Sequence, residues 1–417
     1  MAVASAQVSI KGHHYNFDEI TGKDTVTVIF FDSITNKCDI TYTGTATTIN
    51  WYKYPGNTFL SNQPTIYPED STGYLLVADA DSSYIWVIDY NKNRPVFHSF
   101  EVEDKPKEQC ENMNLLIDAT VPLLSYQTPD SVSHNLPRTF TVNYQTSVWT
   151  DKWTEKPAST QEIVLPATQI TVPTPLCDTY FTLSGDQYGK ELGFASDSIT
   201  SSYYSTVAIQ FHITSTLTTR PEKNEVDRPS LASQISGSAP LDILFESNAN
   251  ESAIPKFYKW EIYKNNQYLI DRTEKDFRNI FTDAGTYNVK LVTNNDFCSF
   301  TDSITITVSE SFIDVPNVFT PNGDGANDEF RVAYKSILTF EAWVYNRWGR
   351  LVFHWTDPQK GWDGNINGKK ATVGPYYYVI KALGSDFNPD TEPNKETKLR
   401  LGEYLEKGDI NLLRGKE

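Results

Sequence analysis

The sequence predicts an all-β protein built from β-sandwiches arranged in series. Strand-like runs recur about every 8 to 12 residues and are bounded by Gly, Pro, Asn or Asp. Aromatic residues make up 13% of the chain, and with frequent Thr and Ser they suit the pleated, half-buried surface of a sheet. Sustained helical periodicity is nearly absent. The clearest strand-like runs cover residues 25–31, 47–54, 74–78, 84–90, 139–148, 206–214, 287–293 and 303–308.

The negative net charge of the chain makes two classes of binding partner unfavourable. Its 417 residues contain 36 Lys and Arg against 53 Asp and Glu, a formal net charge of −17. Nucleic-acid phosphates and an anionic membrane surface would both repel such a chain, so we expect neither as a partner. No run of about 18 apolar residues occurs, so the sequence predicts no transmembrane helix.

Four cysteines are spread along the chain at positions 38, 110, 177 and 298, and no two form a CxxC pair. This spacing excludes zinc ribbons and dithiol redox motifs. Four cysteines allow three pairings, among which the sequence does not choose. Disulfide bonds would suit an exported chain, and isolated buried thiols are the alternative.

The first domain is predicted over residues 8–105. Cys38 is followed by Trp51 and then by an acidic turn that leads into Tyr74. This arrangement resembles the immunoglobulin-like domains, which have a core tryptophan and a tyrosine corner. Leu76 stands where those domains have their second cysteine, so the resemblance implies the sandwich without its inter-sheet disulfide. A fold of this kind does not specify a function.

Residues 1–7 precede this domain and contain Ala4-Ser5-Ala6, which looks like the cleavage end of an export signal. We interpret residues 1–7 as the residual, disordered end of such a signal.

A second β-sandwich is predicted over residues 106–220, followed by a linker over residues 221–229 that is charged and bracketed by prolines. Trp149 and Trp153 lie close together in this domain. They would form an exposed aromatic patch if they point outward, and they would be core side chains if they point inward. The sequence leaves both interpretations open.

The third domain is predicted over residues 230–310. Trp260 lies within an aromatic strand-like run, and Gly285 opens a run in which Tyr287, Val289 and Leu291 alternate onto one face. These features resemble the PKD-like family of sandwiches. The resemblance implies a spacer or adhesion module on a cell-surface protein.

Residues 311–417 differ in local composition from the preceding domains. Four short blocks rich in Gly, Asn and Asp separate their strand-like runs. Gly residues in such blocks relieve tight turns. The residues that we single out are Pro321, Asn322, Gly323, Asp324, Gly325, Asn327 and Asp328, then Asn346, Arg347, Trp348 and Gly349, then Gly361, Trp362, Asp363 and Gly364, and finally Lys407, Gly408 and Asp409.

These blocks, in this order and spacing, resemble the gliding-motility-associated C-terminal domain, the type B sorting signal of the type IX secretion system. The resemblance implies a C-terminal β-sandwich sorting domain that engages the type IX translocon and an outer-membrane partner specific to type B signals. It also implies export through the periplasm to the cell surface or beyond. We further expect a final strand near residues 408–414 whose exposed edge could accept a partner strand.

A weak calcium site is suggested by the oxygen-bearing side chains of Asn322, Asp324, Asn327 and Asp328, which alternate with glycines. The segment lacks the glutamate that closes an EF-hand loop. A structural cluster of Asx turns is the favoured interpretation, and no other cofactor or metal site is predicted.

Catalytic residues are not apparent. The six histidines lie outside any HExxH or nucleophile-triad context, and a carboxylate pair of the glycosidase type has no supporting cleft in the sequence. We therefore expect a non-enzymatic cell-surface protein that acts as an adhesion or binding module for a surface ligand. The alternative is an accessory or signalling component of the secretion system, with a sensor protein as its partner.

Overall fold

The computed structural model describes residues 7–21, 24–160, 163–194, 198–220, 224–229 and 235–414. The suggested cleavage site at residues 4–6 and residues 221–223 of the predicted linker lie outside these ranges. The chain divides into two compact units, which we call the N-terminal unit (residues 1–208 and 250–253) and the C-terminal unit (residues 209–249 and 254–417). Among the described residues there are 36 strands and one short α-helix, so the predicted all-β class is confirmed.

The first sandwich packs a three-stranded sheet, in the order β1-β4-β7, against a six-stranded sheet, in the order β2-β3-β9-β8-β5-β6. All neighbours pair antiparallel except β3 and β9, which run parallel. The strands are β1 (Val8–Lys11), β2 (His14–Thr21), β3 (Asp24–Phe31), β4 (Asp39–Tyr42), β5 (Ile49–Tyr54), β6 (Thr58–Ser61), β7 (Thr65–Ile66), β8 (Thr72–Ala78) and β9 (Asp81–Asp89).

The tyrosine corner predicted in this sandwich is present. Trp51 and Tyr74 are both fully buried between its sheets. The backbone N–H of Glu69 donates a hydrogen bond to the Tyr74 hydroxyl at 2.8 Å, which ties the acidic turn to β8. Burial raises the pKa of Tyr74 to about 12, so the hydroxyl stays protonated. Cys38 and Cys177 are free and buried, so neither contributes to a disulfide.

The second sandwich combines a sheet in the order β10-β11-β17 with a sheet in the order β15-β14-β18-β19, in which β16 also pairs with β14. Trp149 and Trp153 face each other across the β14–β15 hairpin, with ring centroids 5.5 Å apart, and both are half-buried. The elements are β10 (Val96–Val102), β11 (Asn112–Thr120), β12 (Leu124–Gln127), β13 (Ser133–Leu136), β14 (Arg138–Trp149), β15 (Trp153–Ser159), β16 (Ile163–Leu165), β17 (Gln169–Pro173), β18 (Thr182–Gly185), α1 (Gln187–Glu191) and β19 (Ser198–Thr200).

The two sandwiches of the N-terminal unit share a core. Strand β3 is buried on both faces, and its Phe30 packs on the outer face of the six-stranded sheet. That face is covered by the β12–β13 hairpin and by α1, whose Tyr188 ring stacks on Phe30 at 4.5 Å. Elements from the sequence of the second domain therefore complete the first one.

A buried ion pair lies at this shared core. The Asp186 and Arg138 side chains are 0% and 2% exposed. Arg138 Nε donates to Asp186 Oδ2, while the Tyr90 hydroxyl and the Gly189 N–H donate to Oδ1 at 2.7 and 2.8 Å. Arg138 Nη1 also donates to the carbonyls of Asn93 and Pro122 at 2.7 and 3.0 Å. The network joins the end of the first sandwich to the second.

The third sandwich, in the C-terminal unit, pairs a sheet in the order β20-β22-β25 with a sheet in the order β21-β27-β26-β23-β24. Its core contains Trp260, and it also contains Tyr287, Val289 and Leu291, for which the alternation predicted a common face. The strands are β20 (Thr214–Leu217), β21 (Ile235–Gly237), β22 (Leu241–Glu246), β23 (Phe257–Lys264), β24 (Gln267–Arg272), β25 (Phe277–Phe281), β26 (Gly285–Asn294) and β27 (Ser299–Val308).

One strand of this sandwich comes from upstream of the predicted linker. Strand β20, which falls within the range predicted for the second domain, pairs with β22 along four residues. Leu217 in β20 and Phe211 just before it are buried in the core of the third sandwich. The burial of these two side chains places the strand in the C-terminal unit.

The last sandwich is built on a five-stranded sheet in the order β29-β36-β35-β31-β32, with the small sheets β28-β30 and β33-β34 packed around it. Strand β36 pairs with β35 over ten residues and with β29 over two. The strands are β28 (Phe312–Asp314), β29 (Val318–Phe319), β30 (Ala333–Lys335), β31 (Ile337–Tyr345), β32 (Leu351–Trp355), β33 (Asn365–Ile366), β34 (Lys369–Lys370), β35 (Gly374–Gly384) and β36 (Glu403–Leu412).

The described part of the predicted linker, residues 224–229, packs through Glu225 and Pro229, whereas Val226, Asp227 and Arg228 are exposed. Glu225 forms a bridge beside Tyr334 of β30, and its side chain is only 1% exposed. Arg220 donates to both Glu225 carboxylate oxygens, at 2.6 and 3.1 Å, and Ser238 donates to the same carboxylate. A buried carboxylate requires such partners. The segment therefore joins the third sandwich to the last one.

Candidate secretion-signal site

The Asn346–Gly349 block forms the hairpin turn between β31 and β32. The N–H groups of Trp348 and Arg350 donate to Asn346 Oδ1 at 3.1 and 3.0 Å, and the Gly349 N–H donates to the Asn346 carbonyl at 2.9 Å. Gly349 has φ 75°, a conformation that favours glycine. The turn presents Trp348, which is 75% exposed, at its tip.

The Gly361–Gly364 block carries the central core residue of the domain. Trp362 is fully buried, its ring centroid lies 4.8 Å from that of Tyr376 and 5.4 Å from that of Phe319, and its Nε1 donates to the Asn365 carbonyl at 2.8 Å. A Cβ on Gly361 would lie 2.6 Å from the Phe330 carbonyl oxygen. This block therefore determines the packing of the domain.

The Lys407–Asp409 block lies in the middle of β36, paired with residues 377–379 of β35. Gly408 lets Tyr378 cross the strand, because a Cβ there would meet the Tyr378 hydroxyl at 2.5 Å. The last strand begins earlier than predicted, at Glu403, and its end is not an open edge: Asn411 and Leu412 pair with β29 of the same chain. The expectation of an exposed edge is therefore wrong at Asn411 and Leu412, where β29 pairs with the strand.

The Pro321–Asp328 block is an exposed loop in which each carboxylate accepts hydrogen bonds from the chain itself. Asp328 accepts from the N–H groups of Asn322, Gly323 and Gly325 at 3.0, 2.6 and 2.8 Å. Asp324 accepts from the Ala326 N–H at 2.8 Å, and this hydrogen bond holds its pKa below the ordinary value. The contacts match the Asx-turn cluster favoured by the sequence. Among the residues that the structure describes, no group of three or more His, Cys, Asp or Glu could hold a metal.

Asp328 is therefore expected to stabilise the domain without calcium. Asp328→Ala should lower the free energy of unfolding by about 1 kcal/mol, the usual cost of losing a side-chain cap on backbone N–H groups. Adding millimolar Ca²⁺ or EDTA should leave the thermal midpoint of the wild-type protein unchanged. Thermal unfolding followed by circular dichroism measures both. A rise in the midpoint with Ca²⁺ that Asp328→Ala abolishes would show instead that the loop binds the ion.

A cavity of about 350 Å³ lies beside the Asn346–Gly349 turn. Arg347 and Trp348 line it from the turn, Lys369 and Lys370 from the β33–β34 hairpin, and residues 371–376 form its floor. Arg347 and Trp348 belong to the motif blocks predicted from the sequence, whereas the two lysines do not. Their adjacency in a short, Gly-containing polar stretch was the available signal.

Two of the six histidines lie beside carboxylates. His354 Nε2 lies 3.0 Å from Glu341 Oε1, and His13 Nδ1 lies 3.6 Å from Asp32 Oδ2, both at exposed positions. Within the described ranges, no helix has the length and apolar character needed to cross a membrane.

Comparisons with known proteins agree with this architecture at two places in the chain. Residues 101–201 match the model of a fibronectin type III domain, and residues 313–398 match the model of the CHU_C type IX secretion signal domain. Neither model describes a catalytic domain, and no catalytic domain was identified. No curated protein matches the chain.

Several solved structures align with the chain at low identity. The chicken CNTN1 FN1–FN3 domains share 10% identity, with 76% of this chain and 99% of that chain covered and a TM-score of 0.24. The three N-terminal domains of the bacteriophage RB49 Hoc protein share 11%, covering 76% and 100%, with a TM-score of 0.21. The Clostridium thermocellum CbhA fibronectin(III)-like modules share 13%, covering 48% and 95%, with a TM-score of 0.16.

The fold and the matched segments define a multi-domain β-sandwich protein of the secreted class. The chain carries a C-terminal type IX secretion signal domain, preceded by a fibronectin type III domain within a series of β-sandwiches. It is a protein secreted by the type IX system, and this signal implies recognition by that system and export to the cell surface or the extracellular space.

Proposed function

We propose that the protein is a non-enzymatic adhesion or binding module that its C-terminal domain delivers to the outer surface of the cell. The observation that carries the proposal is the match of residues 313–398 to the type IX secretion signal domain, on a folded sandwich that contains all four motif blocks. We propose domains over residues 8–105, 106–220, 230–310 and 311–417 with a linker at 221–229, except that residues 209–220 belong with the third sandwich, because β20 pairs with β22.

The sandwiches ahead of the signal support a binding role. Tyr180 and Tyr203 in the N-terminal unit are 54% and 57% exposed, and their ring centroids lie 5.0 Å apart. Exposed aromatic pairs offer a large contact area at low entropic cost and are enriched at binding surfaces. We assign the contact with a surface ligand to the face that carries this pair.

Export is expected to depend on the last domain. A chain lacking residues 311–417 should stay in the periplasm of a bacterium that has the type IX system, whereas the full chain should reach the surface. Digestion of intact cells with an added protease, followed by immunoblotting, measures the exposed fraction. The matched control deletes residues 8–208, nearly all of the N-terminal unit, so that no half of its shared core is left exposed; the signal domain should still direct export. Surface exposure of the chain without residues 311–417 would contradict the proposal.

A pull-down from the native outer membrane separates the adhesion role from an accessory role in secretion. If the protein is an adhesin, the Tyr180→Ala/Tyr203→Ala variant should reach the surface normally but recover at least tenfold less of its ligand, because loss of two aromatic contacts is worth about 1.4 kcal/mol or more. Recovery of translocon or sensor proteins after export is complete, with no effect of the double variant, would favour the accessory role instead.

A further inference from the structure

We propose that the cavity beside the Asn346–Gly349 turn is a recognition site for an acidic peptide segment of the secretion machinery. This inference rests on the proposed function and names the chemistry of the partner at the signal domain. It is carried by three basic residues and one exposed indole among the residues that line the cavity, and by the absence of any Asp or Glu among the described residues that line it.

The signal domain lacks the strong negative charge of the rest of the chain. Residues 1–310 contain 22 Lys and Arg against 38 Asp and Glu, whereas residues 311–417 contain 14 against 15. The chain therefore carries a charge of −16 ahead of the signal domain and −1 within it. Against this acidic background, Arg347, Lys369 and Lys370 are all lining residues of a single cavity. A cavity lined by one sign of charge attracts and concentrates partners of the opposite sign.

Local contacts orient the Arg347 side chain and the backbone of Lys369. The Arg347 guanidinium lies 4.4 Å from the centroid of the Trp348 ring, a cation–π contact that holds its planar fork over the turn. Lys369 follows a two-residue turn in which Asn367 and Gly368 have φ 50° and 75°, so the short hairpin fixes its backbone. A guanidinium held in this way binds a carboxylate with two parallel hydrogen bonds.

The walls of the cavity favour a peptide over a membrane surface. Its floor is rigid, because the buried Tyr376 hydroxyl donates to the Thr372 carbonyl at 2.9 Å. Trp348 and Val373, which also line the cavity, are 75% and 58% exposed and can contact apolar side chains that flank an acidic residue. A concave site of about 350 Å³ admits side chains that enter it, whereas a bilayer surface would contact the rim alone.

The first test measures binding by the purified full chain. A fluorescein-labelled hexaglutamate peptide should bind with an affinity that falls as salt rises, and Arg347→Glu/Lys369→Glu should weaken it at least tenfold. Lys360→Glu/Lys395→Glu, which reverses two exposed charges elsewhere in the domain, is the matched control and should bind as the wild type does. Arg347→Lys keeps the charge but loses the fork, and it should have an intermediate affinity. Equal thermal midpoints show that each variant is folded.

The second test measures export in a bacterium with the type IX system. Arg347→Glu/Lys369→Glu should reduce the surface-exposed fraction, and Lys360→Glu/Lys395→Glu should not. If removal of residues 311–417 abolishes export while the Arg347/Lys369 reversal leaves it unchanged, the cavity is not the recognition site and the proposed function stands. If the deletion is also exported, the proposed function itself fails. Binding to anionic phosphatidylglycerol vesicles without binding to the peptide would replace the peptide by a membrane surface.

Discussion

Asp186→Ala is expected to lower the free energy of unfolding of the N-terminal unit by about 3 to 5 kcal/mol, the cost of leaving a buried charge without its partner. Arg138 is 2% exposed and would keep its charge inside the protein. The Tyr90 hydroxyl and the Gly189 N–H would lose their common acceptor as well. Urea unfolding followed by tryptophan fluorescence measures the change.

Two further variants make this expectation specific. Asp151→Ala removes an exposed acid of the same unit and should change the free energy by less than about 0.5 kcal/mol. Arg138→Met/Asp186→Leu removes both charges and should recover much of the loss, because the desolvation cost disappears together with the attraction. A loss below about 1 kcal/mol for Asp186→Ala would mean that the pair is not buried in solution.

The parts of the fold that were predicted from the sequence depend on local patterns. Tyr74 follows an acidic turn in the sequence, and its hydroxyl accepts a hydrogen bond from the backbone N–H of Glu69 in the structure. Tyr287, Val289 and Leu291 alternated, and all three are buried on one face of β26. Each of these signals lies within a few residues of the chain, where turn chemistry and side-chain period determine structure directly.

The parts that were not predicted depend on contacts between residues that are distant in the chain. Arg138 and Asp186 are 48 residues apart, and neither stands out in a sequence with many charges. Glu225 lies in a charged, proline-bracketed stretch typical of an exposed linker, yet Arg220 and Ser238 allow its burial. Burial of a charge depends on the partners that the fold supplies, so the local sequence alone could not indicate it.

The same distinction applies to the signal domain. Its four blocks were apparent because glycines and Asx residues mark turns, and the hairpin at Asn346–Gly349 follows from that chemistry. The basic cavity was missed because Arg347 and Lys369 come from different hairpins. These basic residues come together at the cavity only after both hairpins have folded.

A second large effect is expected from Trp362→Ala in the signal domain. The side chain is fully buried against Phe319 and Tyr376, and its truncation should lower the free energy of unfolding by about 3 to 5 kcal/mol. The same change should reduce the surface-exposed fraction in the export assay, because the recognised form is the folded sandwich. Urea unfolding of the full chain and protease accessibility on intact cells measure the two effects.

Trp348→Ala is the matched control, since it truncates the same residue type at a position that is 75% exposed. It should change the free energy of unfolding by less than about 0.5 kcal/mol, so any loss of export that it causes would report recognition at the turn rather than loss of the fold. The pair of variants thus separates folding from recognition within one domain. Normal export of a Trp362→Ala chain whose signal domain is unfolded would show that the system reads the blocks as a linear sequence, and that the sandwich is not what it recognises.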